Sequence, residues 1–116
     1  MKDFYTELEL NGSKFLFCFN LNVMESIQAE YGTLDKWQEL TSGKEGEEPD
    51  AKAIIFGFKE MLNEGIDINN EKNGTNYKQL THKQVGRFIT ELGLENIGNK
   101  LSEAVINASK NESKNA

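Results

Sequence analysis

The chain has 116 residues, with 19 acidic against 13 basic side chains and a net charge of −6 at pH 7. One domain is expected at this length, and the acidic balance excludes a nucleic-acid binder that works through a basic patch. Hydrophobic residues make up 37% of the chain and include seven Phe, three Tyr and one Trp, which supply a small core rather than a disordered polymer. A single cysteine, Cys18, excludes an internal disulfide framework and any multi-cysteine metal cluster. The opening MKDFYTELEL is charged and lacks the apolar stretch of a secretory signal. No run of about 18 apolar residues is present to span a membrane. A reducing cytoplasm is therefore the expected location.

In residues 4–10, Phe4, Thr6, Leu8 and Leu10 alternate with Tyr5, Glu7 and Glu9. That period of two predicts a half-buried strand. Asn11-Gly12 then marks a tight hairpin turn. The run Phe15 to Phe19 is apolar on both faces, so 14–19 is expected to be the more buried strand of an antiparallel hairpin. Asn20 or Asn22 starts a helix, Asn22 with Glu25 resembling a capping box, and Val23, Ile27 and Tyr31 form its apolar stripe up to Gly32. Thr33 starts a short helix carrying Leu34, Trp37 and Leu40. Residues 42–50 contain the one proline and no apolar side chain, which predicts a solvated loop.

A further helix is expected over 50–64, with Ile54, Ile55, Phe58, Met61 and Leu62 on one side and Gly65 at its end. Gly57 in its middle predicts close approach by a neighbour. Residues 66–80 show little helical periodicity and are expected to form a long loop, with a short Asn73-Gly74 hairpin as an option inside it. Thr81 with Gln84 is a capping-box pair for a helix over 81–92, closed by Gly93. The final helix is expected over 94–108, with Leu94, Ile97, Leu101, Ala104, Val105 and Ala108 on one side. Together the elements predict an α+β, predominantly α fold: a β-hairpin on a bundle of about four to five helices over 1–108, with a disordered polar tail over 109–116.

Catalytic and cofactor motifs are missing. No Gly-rich phosphate loop occurs. His82 is expected at the exposed start of a helix, and Cys18, between Phe17 and Phe19, is expected to be desolvated and inert. Asp67, Asn69 and Glu71 alternate oxygen ligands, but Lys72 and Lys78 stand where a calcium loop needs Gly and Glu. Neither an enzyme activity nor a cofactor, metal or nucleic-acid ligand is expected. The candidate surface is for protein partners: Tyr5 and Glu7 on the outer strand face, Trp37 as an aromatic anchor, and His82 with Arg87 on the helix over 81–92. Self-association through the edge of strand 4–10 is a further option, opposed by Glu7 and Glu9.

The order of these signals resembles the small tail assembly chaperones of long-tailed phages and prophages. The resemblance is carried by the hairpin ending Asn11 to Phe19, by LNVMESIQAEYG over 21–32, by LTHKQVGRFI over 80–89, and by the closing amphipathic helix. It implies a protein that binds the tape measure protein, keeps it soluble and helps recruit tail tube subunits in the bacterial cytoplasm. It implies no place for the chain in the finished virion. The alternative kept open is a minor tail or head–tail joining component that stays in the particle.

Overall fold

The computed structural model describes residues 5–10, 12–43 and 46–115. The elements are β1 (Tyr5–Leu10), β2 (Ser13–Cys18), α1 (Leu21–Tyr31), α2 (Leu34–Ser42), α3 (Ala51–Asn73), α4 (His82–Leu92) and α5 (Leu94–Asn115). The expected α+β, mainly helical architecture is present, with the hairpin laid on the helices. No helix among the described residues is long and apolar enough to cross a membrane.

β1 and β2 pair antiparallel, with Leu10 opposite Ser13 and Thr6 opposite Phe17. That register leaves two residues between the strands. Asn11, half of the predicted turn signal, lies outside the described residues, as do the side chains of Tyr5 and Leu8. β2 is buried on both faces, as its sequence requires. Phe17 lies 5.0 Å, centroid to centroid, from Phe58 of α3, and Phe15 lies 6.3 Å from Phe88 of α4. Cys18, of opposite parity, is also buried.

Helix starts follow local capping chemistry. Asn20 accepts from the Val23 amide, Thr33 from Lys36, and Asp50 from Ala53. The Thr81–Gln84 capping box forms in both directions, at 3.2 and 2.8 Å. The box expected at Asn22 and Glu25 does not form. The helix is capped by Asn20 instead, and Asn22 donates to Glu64 across to α3 at 2.9 Å. The core gathers Val23 and Ile27 of α1, Trp37 of α2, Phe58, Met61 and Leu62 of α3, Val85 and Ile89 of α4, and Ile97, Leu101 and Val105 of α5. Leu94, expected on the inner side of the last helix, is exposed.

Two boundaries differ from the sequence expectation. α3 does not stop at Gly65 but runs on to Asn73, so the 66–80 loop shrinks to the stretch after Gly74. Ile66 repeats the Leu62 position one turn later and is buried. Gly74, with φ 66, is the left-handed residue that ends the helix, so the Asn73-Gly74 pair is a helix terminus rather than a hairpin. The polar residues that hid this extension hold the returning chain against the helix. Asn63 donates to the Leu80 carbonyl at 3.0 Å and accepts from the Leu80 amide at 2.7 Å. Asn70 does the same for Tyr77, both at 3.0 Å, and Asp67 accepts from Gln79. These three positions lie on one stripe of α3. At the other end of the chain, α5 is helical through Asn115, past the expected boundary at 108. Residues 109–115 contain no Gly or Pro to stop a helix, and their Lys and Glu are good helix formers.

Trp37 corrects a further expectation. It is 1% exposed, and its indole N–H donates to the Ala53 carbonyl at 3.0 Å. Its ring lies against Gly57, the glycine whose position in α3 predicted a close neighbour. Trp37 is a core residue that joins α2 to α3, so it offers no surface to a partner.

Candidate functional site

The site is built where the hairpin meets the second half of α3. In a hairpin closed by a two-residue turn, the pair flanking the turn exchanges hydrogen bonds and alternate pairs do not. Leu10–Ser13 is that first bonded pair, so the peptide groups of Leu16 point away from β1. They meet α3: the Leu16 carbonyl lies where a side chain on Gly65 would be. α3 thereby covers the outer edge of β2 at this point.

Beside this crossing opens a cleft of about 540 Å³, lined by residues of both strands, of α3 and of the segment after it. Its floor is apolar, made by the half-buried Phe15 and Leu16 and the buried Ile66. Its rim is polar and charged, with Glu7, Lys14, Asn69 and Lys78. Tyr77 stands on the rim with 66% of its surface exposed, although its backbone is fixed by Asn70. An apolar floor inside a charged rim suits the side chains of a polypeptide. The described lining holds one carboxylate, no histidine and no cysteine.

Of the residues singled out from sequence, Glu7 lines this cleft and is exposed. The backbone of Tyr5 belongs to β1, while its side chain is outside the described set. His82 and Arg87 are both exposed on α4, as expected, but neither lines the cleft. Trp37 is in the core. Leu16, Ile66, Asn69, Tyr77 and Lys78 were not anticipated as site residues. The four-residue spacing of Leu62 and Ile66 was the available signal, because it continues the α3 stripe beyond Gly65.

A smaller polar pit of about 130 Å³ lies between α1 and α3, with Glu60, Glu64, Asn63, Asp67 and Gln79 among its lining residues. Glu64 accepts from Asn20 at 2.7 Å and from Asn22 at 2.9 Å, and Asp67 accepts from Gln79. Among the described residues no group of three or more His, Cys, Asp or Glu is arranged to hold a metal ion.

Burial, and then the negative charge of Glu64, pushes the Cys18 thiol up from 9.0 to about 11. Alkylation by iodoacetamide at pH 8 is expected to be about 100-fold slower in the native chain than in urea, following the loss of thiolate alone. The same shift has a sign for stability. Below pH 9 the thiol is neutral in both states. As pH rises from 9.0 towards about 11, the unfolded chain ionises first and the contribution to stability is lost. Thermal melts at pH 8 and pH 10.5, with Cys18→Ala as the control, measure it.

No protein-family model, curated protein or solved structure matches the chain.

Proposed function

We propose that the chain is a tail assembly chaperone of a long-tailed phage or prophage. In this reading it binds the tape measure protein in the host cytoplasm, keeps it soluble until the tube forms, and helps recruit tail tube subunits. The observation that carries the reading is the cleft between β2 and α3. Its floor is apolar, made by Phe15, Leu16 and Ile66, and its rim is charged. A long helical client has apolar faces that stay unburied before assembly, and a cleft of this kind shields a few of them reversibly. The net charge of −6 keeps a loaded complex apart from its copies. The resemblance over residues 21–32 and 80–89 supports the same reading.

The test is co-expression of the full chain with the tape measure protein of the same genome. The client is expected in the supernatant with the wild-type chain and in the pellet without it. Tyr77→Ser with Lys78→Glu is expected to lower soluble recovery several-fold while leaving the chain folded, because both side chains are exposed. Mass spectrometry of purified virions is expected to find the chain missing. Retention in the particle in fixed stoichiometry would establish the minor structural protein instead.

A further inference from the structure

The two edges of the hairpin are not equivalent. β2 has α3 along its outer edge, with Leu16 against Gly65. β1 is the other edge of a two-stranded sheet and, among the described residues, pairs with β2 alone. The register decides which of its peptide groups are turned outward. Leu10, Leu8 and Thr6 stand in the bonded pairs with Ser13, Phe15 and Phe17. The N–H and C=O of Tyr5, Glu7 and Glu9 therefore face away from β2. An outward row at every second residue is the template for another strand.

We infer that the β1 edge is a strand-addition site for an extended, basic segment of another polypeptide. Charge selects this occupant. Side chains that face each other across an antiparallel bonded pair lie on the same face of the sheet. An added strand thus sets alternate residues directly opposite Glu7 and Glu9, both exposed. Glu9 already faces Lys14 within the hairpin, whereas Glu7 faces the apolar Leu16. A Lys or Arg at alternate positions of the incoming strand complements both carboxylates. A second copy of this chain does not. Only residues 5, 7 and 9 turn outward, so two copies must pair these with one another. The registers with most overlap then place Glu7 opposite Glu7 or Glu9 of the copy, like charge against like. This inference goes beyond the chaperone reading and does not depend on it.

The probe is a capped seven-residue peptide alternating lysine and valine, added to the full-length protein and followed by amide hydrogen exchange. Exchange at the amides of Tyr5, Glu7 and Glu9 is expected to slow by about tenfold or more, while Thr6 and Leu8, already bonded to β2, stay unchanged. The matching glutamate–valine peptide is expected to do nothing. Glu7→Lys with Glu9→Lys replaces exposed side chains, so the fold is expected to persist, and it reverses the preference between the two peptides. Four results overturn the inference. The first is no protection by the lysine peptide at millimolar concentration. The second is protection without the odd–even alternation. The third is protection of residues 5, 7 and 9 in the peptide-free monomer, which assigns the edge to the chain itself. The fourth is protection that grows with protein concentration alone, which assigns it to a second copy.

Discussion

Gly65→Ala is expected to destabilise the chain by about 3 kcal/mol or more, lowering its melting temperature by about 10 °C or more. A methyl group at this position overlaps the carbonyl carbon and oxygen of Leu16 as well as its Cβ. Backbone atoms have no rotamer with which to give way, so either α3 or β2 must move. Gly65 is buried, and β2 on each side of Leu16 is fixed by Phe15 and Phe17 to the helices below. The strain therefore falls on the attachment of the hairpin. In a helix an alanine is otherwise better than a glycine by about 1 kcal/mol, so a loss in this direction isolates the close approach. Urea unfolding followed by circular dichroism gives the size of the effect. Hydrogen exchange shows whether β1 and β2 become the first region to open.

Trp37→Ala is expected to cost about 3–5 kcal/mol, the range for removing a large buried aromatic side chain. Trp37 is among the largest fully buried side chains, and it carries a hydrogen bond to the Ala53 carbonyl. α2 is short and joins the core chiefly through this ring, since Leu34 and Leu40 are half-buried. Gly57→Ala tests the same contact from the other side, because its Cβ overlaps the indole. Trp37→Phe shortens the ring system and should recover part of the Gly57→Ala loss. A double-mutant cycle over Trp37 and Gly57 is therefore expected to show coupling, measured by urea unfolding.

Much of the fold was legible in the residues, and the exceptions share a physical cause. The strand over residues 5–10, the apolar run to Phe19, and the caps at Thr33 and Thr81 follow local signals that the tertiary structure leaves in force. Gly57 was correctly read as a contact, since a glycine inside an apolar stripe has little other use. From sequence alone, a glycine after Glu64 looks like a helix terminus. Its role is decided by Leu16, some fifty residues earlier, and no local pattern carries that. The Asn and Asp residues after it are poor helix formers, and their value lies in bonding the returning segment. Trp37 resembles a surface anchor in the sequence because amphipathic spacing does not say which partner a stripe meets. A helix that ends at Gly65 does not bring Ile66, Asn69 and Tyr77 together, so of the cleft residues the sequence points only to Glu7.

The unequal edges of the hairpin also bear on how the molecule avoids fibre formation. Open-ended stacking needs two sticky borders, one to receive a neighbour and one to pass the ladder on. Here α3 blocks the second border at Leu16. A second copy that docks through its own β1 presents only an α3-covered border beyond, so growth of the ladder by copies of this chain ends at a pair.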